Sequence, residues 1–455
     1  MANRRLSQSL NGNWGESSPT SFITGSDSAA SEWTKDWREA LARDIIDTRI
    51  VSIDAESTVE DACEKLLSED IACLAVRSDP NGEDAANRPP YQGLFDFSDV
   101  NAFLTLAATR HTFSLDDPTP DPRHTKIVEA ATAGPVPVQL VSNLSDKNPL
   151  VALPNDADVI SLLEVFARGT HRVLIQAPDH SGEPIGMVSD RGMLAWFDSY
   201  AKSNASFKQY LGNAMQPLSL PSLHIYTSVV ASVSSAPLLD AMKSMSEEGV
   251  SSVAILDEES GALLSAVSVT DVAQVVVPSQ SNQILSTPLH QFISMIKAHH
   301  GWVDGADRYP VFSVLPSSTL QFAIEKLLAT NSHRLFVTRE STMSSPVMSP
   351  AVIGNLCGIV SVVDILSLFA RLANVENIDP TEMQRHRRMS STSSKTNEQQ
   401  FFLRSRSSSK SSQSARHSQA IAISPTDVLS LESLTSIDNI ISGVERRRSL
   451  RSNQG

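Results

Sequence analysis

The stretch "CGIVSVVDIL", Cys357 to Leu366, decides the fold. Its apolar run reads as a strand ending at Ser361, and the lone carboxylate of Asp364 falls where a helix should begin. The same pattern occurs three times upstream. The copies are "YQGLFDFSDVNAFL" (Tyr91 to Leu104), "EPIGMVSDRGMLAWF" (Glu183 to Phe197), "ALLSAVSVTDVAQVV" (Ala262 to Val276) and "NLCGIVSVVDILSLF" (Asn355 to Phe369). Six residues beyond the glycine position stand Asp99, Gly192, Asp271 and Asp364, so three of the four copies carry the acid. In the third copy Ser265 replaces the glycine.

A second shared block precedes each of these. It reads "STVEDACEKLLSEDIACLAV", "DADVISLLEVFARGTHRVLIQ", "APLLDAMKSMSEEGVSSVAIL" and "STLQFAIEKLLATNSHRLFVT". A turn or cap residue opens each block. Apolar residues follow at helical spacing, as in Ala62, Leu66 and Leu67 or Ile324, Leu327 and Leu328, and a β-branched run then reads as a strand. The unit is short strand, helix, strand, strand, helix. One copy of roughly 60 residues cannot bury both faces of its sheet, so copies should pair.

Bulk properties narrow the function. The chain has 455 residues and a formal charge of −14. From Met383 onward, 12 Lys/Arg stand against 5 Asp/Glu, a tail charge of +7 that leaves −21 for the rest. So acidic a body is a poor partner for nucleic acid, whose binding is dominated by Lys and Arg contacts to phosphate. Three cysteines, Cys63, Cys73 and Cys357, form no short paired motif and fit buried thiols in a reducing compartment. "MANRRLSQSL" lacks the apolar core of a secretory signal, and apolar runs such as "LLSAVSVTDVAQVVV" are broken by charge before membrane-spanning length. The expectation is a soluble, intracellular protein that engages neither membrane nor nucleic acid.

Both ends read as disordered, being too poor in apolar anchors to offset their ordering entropy. "RRLS", "RRMS" and "RRRS" place Ser7, Ser390 and Ser449 two residues after an Arg pair, a spacing that resembles substrates of basophilic kinases; chance meetings of abundant Arg and Ser give the same pattern. Val428, Leu431, Leu434, Ile437 and Ile441 recur at helical intervals, as a helix docking on a partner or on the body itself.

The repeated unit resembles the cystathionine-β-synthase (CBS) domain, and four copies resemble two Bateman modules over about residues 45 to 375. The resemblance implies an α/β (α+β) fold of four CBS repeats forming two Bateman modules in a disc, with disordered N- and C-terminal tails. The expected divisions are a disordered tail over 1–30, a leading helix and first repeat over 31–110, and repeats over 125–205 and 206–280. An insert over 281–309, a fourth repeat over 310–380 and a Ser/Arg-rich tail over 381–455 follow. The leading helix carries Trp33, Trp37 and Leu41 on one stripe.

The clefts between CBS copies bind adenine nucleotides in the family, so AMP, ADP or ATP is the implied regulatory ligand and no cofactor is required. A carboxylate at the strand-to-helix junction would accept from ribose hydroxyls, a role the resemblance implies for Asp271, Asp364 and Asp99. Ser268 and Thr270 flank the first of these and Ser361 the second. The same Asp would also cap its helix, worth about 0.5–2 kcal/mol with or without a ligand. His171–Arg172 and His333–Arg334 fall at equivalent places in copies two and four. They are similar to phosphate-reaching residues in the γ subunit of AMP-activated protein kinase, and a guanidinium fork suits phosphate. Copy one has Ala72–Cys73 there, copy three Ser251–Ser252, and Asp96 shares a cleft with Asp99. One or two working nucleotide sites are therefore expected.

The long Ser-rich ends, the insert and the Trp-bearing helix resemble the fungal Sds/Moc family of CBS-repeat proteins. That likeness implies a cytoplasmic and nuclear regulator of cell separation and DNA replication. Its partner would be a protein, either a type 2A-like phosphatase that it inhibits or, as the γ subunit of an AMP-activated (SNF-type) kinase, the kinase subunits. A homodimer is compatible with the pattern. No P-loop, Rossmann fingerprint, paired metal ligands or nucleophile elbow stands out, so neither catalysis nor a bound metal is expected.

Overall fold

The computed structural model describes residues 27–78, 89–109, 122–178, 184–218, 220, 229–277, 282–299, 313–338 and 356–378. The predicted phosphoacceptors Ser7, Ser390 and Ser449 and the helix over 428–441 lie outside them.

Helix α1 (Asp27–Glu39) leads into the first repeat: β1 (Ser52–Ile53), α2 (Val59–Ser68), β2 (Cys73–Arg77), β3 (Tyr91–Asp96) and α3 (Phe97–Thr109). Helices α4 (Pro122–Ala133) and α5 (Val138–Val141) connect to the second: β4 (Ala152–Pro154), α6 (Val159–Phe166), β5 (Arg172–Gln176), β6 (Pro184–Ser189) and α7 (Asp190–Ser203). After α8 (Ala205–Leu211) comes the third: β7 (Ala231–Val233), α9 (Leu238–Glu248), β8 (Ser252–Leu256), β9 (Leu263–Ser268) and α10 (Val269–Val276). Helix α11 (Leu289–His299) precedes the fourth: β10 (Ser313–Val314), α12 (Leu320–Ala329), β11 (Arg334–Thr338), β12 (Leu356–Ser361) and α13 (Val362–Leu372).

Each repeat folds a three-stranded sheet in which its first strand pairs parallel, and its third antiparallel, to the middle one. The register is the same in all four, so Asp96, Ser189, Ser268 and Ser361 are equivalent, each ending a third strand opposite Cys73, Arg172, Ser252 and Arg334. An irregularity falls at the same step in every copy, as between Val76 and Arg77 or Val337 and Thr338.

The middle strands are buried on both faces, which explains their continuous apolar runs. Alternate residues face opposite ways. In copies one and two, Leu74, Val76, Val173 and Ile175 face helices, while Cys73, Ala75, Leu94, Leu174 and Met187 meet between the two sheets. In copies three and four the inter-sheet cluster is Ala254, Leu263, Phe336, Leu356 and Ile359. The helices then pack across the pairs. Those of copies one and three share one core, with Asn101 Nδ2 donating to the Met242 carbonyl at 3.0 Å, and those of copies two and four share another, with Ser367 Oγ donating to the Ala167 carbonyl at 3.2 Å. The contacts close a ring: one to two by sheets, two to four by helices, four to three by sheets, three to one by helices.

The segment before each copy crosses onto its pair mate. The first helical amide of each repeat, an orphan donor in an isolated helix, donates to a carbonyl of that crossing strap. Val59 donates to Val136, Val159 to Ala40, Leu238 to Thr287 and Leu320 to Asn213, at 2.9–3.2 Å. This places two sequence expectations differently. Trp33 and Trp37 precede copy one in the chain but pack into the shared core of copies two and four; Leu41 lies past the helix end and bridges to Asp158. Within the expected insert, Leu289, Phe292 and Ile293 are buried in the core of copies one and three, and α11 runs to His299.

Trp37 is fully buried, ringed by Phe197, Tyr200, Phe207 and Phe369, and its indole Nε1 has no hydrogen-bond partner. Trp37→Ala is therefore expected to cost about 3–5 kcal/mol in urea unfolding, and Trp37→Phe much less, because no indole hydrogen bond is lost. An equal loss in both would contradict this packing.

Candidate functional site

The acidic position is occupied by a different chemistry in the two pairs. In copies three and four it is a capping box. The Asp271 N–H donates to Ser268 Oγ at 3.2 Å, while Asp271 Oδ2 accepts from the Ser268 N–H at 2.8 Å and from its hydroxyl at 2.6 Å. Asp364 and Ser361 repeat this at 3.1, 2.8 and 2.6 Å. The Asp thus supports the helix start in both, as the sequence implied, but the serine is the N-cap and the Asp closes the box from the first turn. Asp271 and the neighbouring Thr270 are half-buried; Asp364 is buried.

Copy one differs. Asp96 takes the place of the cap serine, and Asp99 lies wholly buried rather than at the lip of a cleft. Asp99 Oδ2 accepts from the backbone of Asp96 at 3.1 Å and of Asn143 at 3.2 Å, and Oδ1 from Ser145 at 2.8 Å. Asn143 and Ser145 belong to the strap crossing from before copy two. Both Asp99 oxygens are engaged by backbone, which makes the residue an anchor for that strap.

In copy two the strap before copy one supplies the missing acid. Asp47 Oδ1 accepts from the Ser189 N–H at 2.8 Å, and Asp47 Oδ2 from the Ser189 hydroxyl. These are the two donors that Asp271 and Asp364 satisfy within their own copies. A Cβ at Gly192 would collide with the Asp47 carboxylate, and one at Gly186 with Ile46. Glycine stands at 192 because the acid arrives from elsewhere in the chain.

The histidines of the two His-Arg pairs meet where copies two and four face each other. His171 Nδ1 lies 2.7 Å, and His333 Nδ1 3.3 Å, from one oxygen of Asp190, and the two imidazole rings stand edge to face at 5.0 Å. Burial would raise the Asp190 carboxyl, but the His333 and His171 imidazoles outweigh it and hold it well below the usual carboxylate range. Burial depresses His171 despite the Asp190 charge. Arg172 is buried 3.6 Å from Asp96, bridging copies two and one. Arg334 lies half-buried beside Asp364; desolvation lowers it to about 10, partly offset by that carboxylate, and its Nε has no hydrogen-bond partner.

Sequence reasoning missed Asp47 and Asp190. Asp190 had a visible signal, since the other copies carry Phe97, Val269 and Val362 at that place. Asp47 had none beyond the lack of an acid at Gly192.

Two outcomes follow from these contacts. Gly192→Ala is expected to destabilise alone and to be tolerated in an Asp47→Ala background, a double-mutant coupling of about 1–3 kcal/mol; additive costs would show that the two positions do not touch. Burial and the Asp96 charge push the Asp99 carboxyl up to about 8. A carboxyl that holds its proton more tightly folded than unfolded contributes fully below about pH 4, and the contribution is lost as pH rises toward the folded value. Relative to Asp99→Asn, the wild-type unfolding free energy is expected to fall between those limits, by at most about 1.4 kcal/mol per pH unit. A rising difference would place Asp99 in the ionised state.

No protein-family model matches the chain. It is 31% identical over 413 residues to the protein sds23 of Aspergillus niger, covering 79% of this chain and 77% of that one. It is 29% identical over 405 residues to the SDS23 protein of Yarrowia lipolytica, covering 86% and 77%. Among solved structures, protein MJ1225 of Methanocaldococcus jannaschii superposes with a TM-score of 0.48 at 14% identity, over 72% of this chain and all of that one.

Proposed function

The chain belongs to the Sds23 family, and from that premise we propose that it is a non-catalytic regulator whose second repeat pair, copies three and four, reads an adenine nucleotide. The observation that carries this is that copies three and four hold the acid in their own sequence, three residues past a serine that caps the helix. Copies three and four keep an acid of their own beside a hydroxyl, Ser268–Asp271 and Ser361–Asp364, the arrangement that would accept from a ribose diol. Copies one and two have that place filled by straps of the same chain, through Asn143 and Ser145 at Asp99 and through Asp47 at Ser189. The number of nucleotide sites is then one or two, and Asp99 is not among their ligands.

The output passes to a protein partner. A type 2A-like phosphatase, inhibited in the service of cell separation and DNA replication in cytoplasm and nucleus, is the partner we favour. The alternative, a kinase γ subunit, draws support from His171 and His333, of copies two and four, meeting at one point. Asp190 weighs against it, because a carboxylate between those imidazoles repels the phosphate they would have to hold.

The test is calorimetry and thermal melting of the full chain with AMP, ADP and ATP. Ligand at 100 times its dissociation constant is expected to stabilise by about 2.7 kcal/mol. Asp271→Asn with Asp364→Asn should abolish that increment, measured against each variant's own unliganded melting point so that lost capping does not count. Asp99→Asn should leave it intact. No increment in the wild type, or one that survives the double substitution, removes the nucleotide from the proposal. Affinity capture of kinase catalytic and β chains in stoichiometric amount would replace the phosphatase reading with the γ-subunit one.

A further inference from the structure

We propose that His171, Asp190 and His333 form a binding site for one divalent transition-metal ion, of the zinc or cobalt class, between copies two and four. This goes beyond the nucleotide reading and does not depend on it. Each of the three residues offers a donor atom, and these atoms lie within 4.8 Å of one another. Two imidazole nitrogens converge on a single carboxylate oxygen, Asp190 Oδ2, at 2.7 and 3.3 Å. Ligand atoms about 2.0–2.2 Å from a tetrahedral zinc stand roughly 3.3–3.5 Å apart. The longer contact already fits, and the shorter must open by less than an ångström.

The supports of the cluster are in place. Asp190 is buried at the first position of α7, its backbone N–H donates to the His171 carbonyl at 3.0 Å, and its Oδ1 is held by the Arg191 N–H at 2.8 Å, which leaves Oδ2 aimed at the two rings. Such bonds fix a ligand's orientation before the metal arrives. The His171 and His333 side chains stay 18% and 31% exposed, so the ion has a way in and a position open to water or a further ligand. Two neutral nitrogens and a carboxylate suit zinc, cobalt or iron rather than magnesium or calcium. Coordination needs no redox step: each Nδ1–H moves to Nε2 as the tautomer changes, and the freed lone pair binds the ion. An anion is disfavoured at the same point by the Asp190 charge. His171 and Asp190 come from copy two and His333 from copy four, so the ion ties the two repeat pairs together.

The probe is Co²⁺ added to full-length protein stripped with a chelator, followed by ligand-field absorption, competition with Zn²⁺ and elemental analysis. One equivalent is expected to bind, displaceable by zinc and accompanied by a rise in melting temperature. Asp190→Asn and, separately, His333→Gln should each weaken binding at least about tenfold. His333 is the most exposed of the three side chains, so that variant is the one to keep if Asp190→Asn fails to fold; melting in chelator shows which do. His299→Gln with His300→Gln should change nothing. No stoichiometric binding by the wild type overturns the proposal, as does binding that persists in His333→Gln or is lost with His299 and His300.

Discussion

A three-stranded sheet with two helices on one side leaves its other side apolar, and that constraint organises the whole molecule. Leu74 and Val76 satisfy the helix side of copy one, but Cys73, Ala75 and Leu94 must find a second sheet. The helices in turn are apolar on more than one stripe: α3 buries Val100, Ala102, Phe103, Leu104 and Leu106, more than one sheet can cover. Each copy therefore needs two neighbours, and four copies supply two neighbours each only when the ring closes. The Asn101 and Ser367 side chains, bonded across the helical contacts, fix how the copies meet there.

The crossing straps turn this symmetry into difference. All four perform the same local service, accepting from the first amide of the mate's helix. Beyond that point their sequences diverge. One continues through Ile46 and Asp47 along β6, a second through Asn143 and Ser145 over Asp99, and a third coils into α11. Equal scaffolds thus carry unequal junctions, set by Asp96 and Gly192 within the repeats together with the straps that meet them.

This explains what could be read in advance. The four copies, their element order, the paired sheets and an acid at the helix starts of copies three and four were legible because they depend on local spacing: apolar runs in the strands, three-and-four intervals in the helices, a carboxylate at the strand-to-helix junction. The alignment also put His171 and His333 at equivalent places, and the ring brings them to one carboxylate. What escaped were contacts made across long separations. Asp47 reaches Ser189 over 142 positions, and the Asn143 and Ser145 amides close over Asp99 from 44 and 46 positions away. No period in the sequence encodes such pairings. The tryptophans of α1 make the same point: they adjoin copy one in the chain but pack on copies two and four.

Ring closure is tested most directly by unfolding the chain in urea with two probes at once. With Trp14 and Trp302 replaced by Phe, the remaining Trp33, Trp37 and Trp196 report on the side of the ring formed by copies two and four, whereas far-ultraviolet dichroism reports on every helix. A ring in which each copy depends on two others should give one coincident transition, with the same midpoint and slope by both signals. Two separated transitions, with fluorescence lost while half the helical signal remains, would mean that the copies stand on their own and that ring closure does not hold them together.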